Sequence, residues 1–157
     1  MKRSVLAAVF TVISLASTHA GAQSRDFGLG VIFGEPTGLS GKLWQTRSTA
    51  LDFGAAWSFV DDSAFHLHFD ILVHRFDLIR VDKGRLPLYY GLGGRIKFSD
   101  DDRGDTDTKV GVRFPVGLDY LFARDPFDIF FEIVPILDLA PDTDASLNAS
   151  VGFRYWF

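Results

Sequence analysis

Cysteine is absent from the 157 residues. That excludes a disulfide framework, a thiolate metal site and a cysteine nucleophile. An excess of basic charge is missing too. Sixteen Lys and Arg stand against 20 Asp and Glu, a net charge of −4, which argues against a nucleic-acid partner because such proteins carry a basic footprint. No apolar run reaches the about 20 residues of a membrane-spanning helix. Charged residues still make up 23% of the chain, so a helical membrane protein is excluded. Low-complexity tracts, linkers and fixed-period repeats are lacking as well. Disorder is excluded by what is present: 47% hydrophobic residues, 15% aromatics and 16 Phe. The length suits one domain.

The first residues read as a secretion signal. Met1-Lys2-Arg3 is a short basic segment, Val5 to Ala16 is mostly apolar, and Ala20-Gly21-Ala22 supplies small residues at a cleavage site. The apolar stretch, about 12 residues, is too short to span a bilayer. The sequence therefore predicts a cleaved signal peptide over 1–22 and a mature domain over 23–157 beginning at Gln23. Losing Lys2 and Arg3 leaves 14 basic and 20 acidic side chains, a net of −6.

The mature chain alternates with period two. Phe65, Leu67, Phe69, Ile71 and Val73 share one face, with His66, His68, Asp70, Leu72 and His74 on the other. Val110, Val112, Phe114, Val116, Leu118, Tyr120 and Phe122 alternate against Gly111, Arg113, Pro115, Gly117 and Asp119. Such alternation is a strand signature. Strands are likewise expected over Phe27–Phe33, Leu39–Leu43, Leu51–Phe59, Leu86–Phe98, Phe127–Leu139 and Ala145–Phe157, eight in all and with no mature helix. Turn residues punctuate them at Gly34–Thr37, Gln45–Ser48, Asp61–Ser63, Arg124–Pro126 and Pro141–Asp144.

Volume decides which face points inward. The apolar face carries about sixteen aromatic rings and some twenty aliphatic chains, whereas an eight-stranded barrel holds only its own inward side chains or one small ligand. The face rich in Gly, Ser, Asp, Arg and His fits inside, so the apolar face must meet lipid, where closure satisfies every backbone hydrogen bond. The expected fold is all-β: an eight-stranded antiparallel up-and-down transmembrane barrel with strands of about 9–11 residues. Both termini are expected in the periplasm, with the acidic Ser99–Lys109 connection as the longest outside loop. Phe76–Arg85 is long for a periplasmic turn and reads as a hairpin extending past the membrane, and the parity near Arg75 suggests a bulge.

The C-terminus carries a resemblance. Val151, Phe153, Tyr155 and Phe157 alternate up to a terminal Phe, which resembles the signal that the barrel-assembly machinery recognises in bacterial outer-membrane proteins. Gly34–Lys42, Pro87–Phe98 and Glu132–Leu139 resemble segments of a family of short, largely uncharacterised bacterial outer-membrane barrels. In shape the chain is similar to the OmpA transmembrane domain and OmpX, without a periplasmic domain. The resemblance implies an outer-membrane location and brings no catalytic residue.

The inward parity gathers a polar network: Asp52, His66, His68, Asp70, Arg95, Lys97, Arg113, Asp119, Asp128, Glu132, Asp138 and Arg154. Mixed charge in a narrow lumen is expected to pair into a plug rather than to line a channel, because unpaired buried charge is costly. In such a network Asp119 is expected to be one redundant member. His66 and His68 with Asp70 have ligand types that could hold a metal, but consecutive inward positions lie about 7 Å apart, and no metal or cofactor is expected. No catalytic set is expected either: no mature His has a Ser two residues away, and Ser63 stands three before His66. Trp57, Tyr90, Tyr120 and Tyr155 read as an interfacial girdle. Arg75 reads as a snorkelling residue. Pro115 and Pro135 interrupt strands. A two-residue turn at Arg124-Asp125 gives a register that sets Leu118 opposite Phe131 and the two prolines on adjacent rungs, where a local bulge or a water would serve both.

The expected role is structural or surface-interacting. The expected partners are outer-membrane lipid, the barrel-assembly machinery and an extracellular ligand at Ser99–Lys109. A narrow solute pore is the alternative, and a lipid-modifying enzyme a more remote one.

Overall fold

The computed structural model describes residues 25–58, 64–100 and 103–157. The signal segment 1–22, Gln23, Phe59, the Asp61–Ser63 turn, Asp101 and Asp102 lie outside the described residues. Nine strand segments follow one another: β1 (Phe27–Gly34), β2 (Thr37–Trp44), β3 (Thr49–Trp57), β4 (Phe65–Arg75), β5 (Leu88–Asp100), β6 (Thr106–Arg113), β7 (Val116–Leu121), β8 (Phe127–Ala140) and β9 (Asp144–Trp156). Each pairs antiparallel with its neighbours, and β9 pairs with β1, which closes the sheet into a ring. No helix among the described residues is long and apolar enough to cross a membrane.

The expected strand over Val110–Phe122 is split. β6 and β7 each lie between β5 and β8, so together they form a single stave and the ring has eight positions. The break is Phe114-Pro115. It changes no register: Gly93 faces Arg113 on one side of it and Tyr90 faces Val116 on the other, in the same frame. Leu118 pairs with Phe131, as the turn at Arg124-Asp125 predicts. The two prolines explain the gap. Phe114 N–H donates to the Pro135 carbonyl at 2.9 Å, and Gly91 N–H donates to the Pro115 carbonyl at 2.9 Å. Neither proline has an N–H to return the bond. The bulge expected there lies instead at Val110/Gly111, where the partners jump from Ala140 to Asp138.

Two connections depart from the sequence reading. β4 keeps one register with β5 from Phe65 to Arg75, so Arg75 marks no bulge. Beyond it the chain forms no hairpin; residues 76–87 are bends with a single bridge between Arg85 and Leu121. The Ser99–Lys109 connection is shorter than expected, because Ser99 pairs with Asp107 and Asp100 with Thr106.

Alternation sets what lies inside. Along β8, Asp128, Phe130, Glu132, Val134, Ile136 and Asp138 are buried, while Ile129, Phe131, Ile133, Leu137 and Leu139 are exposed. Exposure reaches 55% at Leu92 and 66% at Leu147. The interior is too narrow for two large groups abreast, so glycine faces bulk: Gly54 abuts the His68 ring, Gly93 Asp70, Gly111 Asp138, Gly117 Tyr89 and Gly152 Phe130. Among the buried apolar side chains, Ile32, Leu72, Tyr89 and Phe130 form one small cluster, with Leu121, Val134, Ile136 and Trp156 buried besides. The molecule is polar within and apolar without.

Candidate functional site: the ion-paired interior

Three groups of contacts fill the barrel, beginning at the end where Phe157 lies. Arg154 on β9 is the hub there. Its Nε donates to both Asp128 carboxylate oxygens at 3.1 Å, Nη1 to Asp52 at 2.9 Å and to Ser40 Oγ at 3.4 Å, and Nη2 to Asp119 at 3.3 Å. The guanidinium lies 4.0 Å from the Phe130 ring centroid, a cation–π placement. Only arginine offers five donors in a rigid fork able to serve three carboxylates at once. Lys42 on β2 adds a second cation, 2.6 Å from Asp119 and 2.7 Å from His74 Nε2. The ammonium only donates, so Nε2 accepts and the ring proton sits on Nδ1, 3.3 Å from the Ser48 carbonyl. Trp156 donates its indole N–H to Asp128 at 3.1 Å.

Midway, Arg113 pairs with Asp70 through Nε at 3.0 and 3.1 Å and reaches Glu132 at 3.5 Å. The Tyr89 hydroxyl donates to the other Glu132 oxygen at 2.9 Å. Toward the far end, Arg95 makes a bidentate pair with Asp138 at 3.0 and 2.6 Å and touches Ser146. Asp52 of the first group lies 3.7 Å from His68, and ligand atoms of these two and of Asp70 in the second group lie within 4.8 Å of one another. All these charged side chains are buried.

Every polar residue assigned inward from parity is therefore inside the barrel, Lys97 included. His66 is buried, but neither ring nitrogen meets a protein partner, nor does His68 Nδ1. Sequence reasoning did not name Lys42, His74, Tyr89, Trp156 or Ser40 among the network. The signal was available: Lys42 follows Ser40 by two, Tyr89 shares the parity of Arg95, and Trp156 that of Arg154. Trp57, Tyr90 and Tyr155 do point outward, with Tyr120 half-buried on that face. Trp44 instead stacks toward His74 and Trp156 at the Phe157 end.

The expected redundancy of Asp119 is not found. It is fully buried and takes Lys42 and Arg154 on the same oxygen, and the other groups around Lys42 Nζ, His74 and the rings of Trp44 and Tyr89, bring no negative charge. The three residues that converge also differ from His66, His68 and Asp70. Asp52, His68 and Asp70 bring ligand atoms within 4.8 Å of one another, without His66. Both carboxylates are already engaged by guanidinium groups, Asp52 by Arg154 and Asp70 by Arg113, so a cation there would compete with two arginines.

A closed antiparallel barrel, ion-paired inside and apolar outside, is the class of protein that this geometry defines. Among solved structures, the chain is similar to the N-terminal β-barrel domain of Pseudomonas aeruginosa OprF, with a TM-score of 0.64 and 15% identity. The match covers 86% of this chain and 100% of that one. No protein-family model and no curated protein matches the sequence.

Proposed function

We propose that this chain is a small integral outer-membrane barrel with a structural or surface-interaction role and a closed interior. The observation that carries the reading is the inversion of polarity. Monomers in water rarely expose contiguous apolar patches beyond a few hundred Å², yet here apolar residues project from every stave of the ring. Hydrocarbon requires closure of the strand ladder, and the ring is closed. The signal-like segment 1–22 and the alternation up to Phe157 support export and delivery to the outer membrane through the barrel-assembly machinery.

The Arg154, Arg113 and Arg95 groups support a closed interior, because they join staves two and three apart across it, and Lys42–Asp119 joins opposite walls. Function then belongs to the ends. Among the described residues, Asp100, Asp105 and Asp107 sit on the β5–β6 hairpin, which we assign to the outside as the contact surface for an extracellular ligand. Recording purified protein in planar bilayers tests the closed state. The expected result is no sustained conductance. Stable unitary currents would overturn it in favour of a narrow solute pore.

A further inference from the structure

The connection from β4 to β5 has two unlike sides. On its inner side, Phe76 lies 6.3 Å from His74 and 6.2 Å from Trp44, with the Arg85 guanidinium 5.0 Å over its ring. These groups lie at the Phe157 end of the interior. The outer side turns back onto the wall of the barrel. Tyr120, on the outward face of β7, donates its hydroxyl to the Lys83 carbonyl at 3.0 Å. Arg85 exchanges backbone hydrogen bonds with Leu121 at 3.0 and 2.8 Å. Gly84, at φ +73°, makes that approach possible, because a Cβ there would press on the Leu121 carbonyl and lie 3.2 Å from the tyrosine oxygen.

The segment so held presents Leu78, 56% exposed, and Val81, 36% exposed, to the surroundings. Between and beside them stand exposed Arg80 and Lys83, against one acid, Asp82. Asp77 does not add to the acids, because Arg75 engages it at 2.8 and 3.0 Å and that hydrogen bonding holds its carboxyl below the usual range. Arg75 and Tyr90 place this edge at the rim of the outward apolar face, directly after Val73. An apolar pair flanked by cations, fixed to the rim of an apolar band, has the chemistry of a phospholipid headgroup layer: acyl boundary for Leu78 and Val81, phosphate for Arg80 and Lys83.

We infer that the 76–87 connection is an interfacial lipid-binding element, in which Leu78 and Val81 enter the headgroup boundary and Arg80 and Lys83 hold phospholipid phosphates. This rests on the membrane reading given above and names the lipid contact of its Phe157 end.

The test places a single label at Leu78→Cys in the full barrel, reconstituted in phosphatidylcholine vesicles with or without phosphatidylglycerol. Leu92→Cys, on the outward face of β5, is the control for the barrel wall. A nitroxide at position 78 is expected to collide with dissolved oxygen more than with a water-soluble nickel chelate. Adding Arg80→Gln and Lys83→Gln should shift that balance toward the chelate. A fluorophore at the same position should be quenched more by brominated phosphatidylglycerol than by brominated phosphatidylcholine. A basic group near an anionic surface is worth up to about fivefold in association. A chelate-dominated signal at 78 with an oxygen-dominated one at 92 overturns this inference and leaves the membrane barrel standing. Chelate-dominated signals at both positions overturn the barrel reading as well. Equal quenching by the two lipids overturns the assignment of Arg80 and Lys83 to phosphate.

Discussion

Arg154 shows what a single residue does in this interior. Its guanidinium serves Asp128, Asp52 and Asp119 together, so removing it strands three carboxylates where water is scarce. Breaking a buried pair by deleting one partner costs about 3–5 kcal/mol, because the remaining charge is left uncompensated. Arg154→Met is therefore expected to lower the stability of the refolded barrel by at least that much, read from urea midpoints in detergent micelles. A loss below about 1 kcal/mol, the worth of an exposed pair, would defeat the hub. Asp119→Asn should also be costly, because it leaves buried Lys42 facing an amide and a neutral imidazole. The Arg95–Asp138 pair offers a control with the opposite logic. Replacing both partners, Arg95→Met with Asp138→Leu, should cost less than Arg95→Met alone, since no orphaned charge remains.

At the level of the element, the stave made by β6 and β7 tests inside against outside most directly. Its odd positions Gly111, Arg113, Pro115, Gly117, Asp119 and Leu121 are buried, and its even positions face out. The alternation runs straight through the Phe114-Pro115 break because the register does not slip there. A cysteine scan from Val110 to Phe122, clean because the chain has no native cysteine, is expected to give oxygen-accessible nitroxides at even positions and protected ones at odd positions. Even positions hidden from both oxygen and aqueous reagent would put the apolar face inside and remove the membrane assignment. The same stave limits substitution. Gly117 lies against the Tyr89 phenol and Gly111 against Asp138, so a side chain at either would push a network member out of its pair.

Seen whole, the molecule is charged differently at its two ends. Among the described residues, Glu35, Asp100, Asp105, Asp107, Asp142 and Asp144 crowd the far end, with Arg103 and Lys109 as the opposing bases. The Phe157 end carries Arg25, Arg47, Arg75, Arg80, Lys83, Arg85 and Arg124, against Asp26, Asp77, Asp82 and Asp125. Under the proposed orientation the acidic end meets the cell exterior and the basic end the periplasm. A protease-cleavable tag near Asp102 should then be cut on intact cells, and one near Asp125 only after the outer membrane is opened. The reverse pattern would invert the barrel.

The staves and their faces were legible in the amino-acid order alone. Period-two alternation is a local property, and a strand's two faces follow from backbone geometry alone, so parity put Asp52 through Arg154 inside before any partner was known. The turn residues between β7 and β8 gave their register for the same local reason. Which side chains meet across the ring depends instead on the closed fold. Lys42 and Asp119 lie 77 residues apart, and Arg154 and Asp52 lie 102 apart. Those distances close only when β9 pairs with β1 and the staves stagger around the axis, which no single strand encodes. The same holds for the 76–87 connection. Its length was legible, but its return to the barrel wall depends on the Tyr120 hydroxyl, which belongs to another strand and reaches it only in the closed ring.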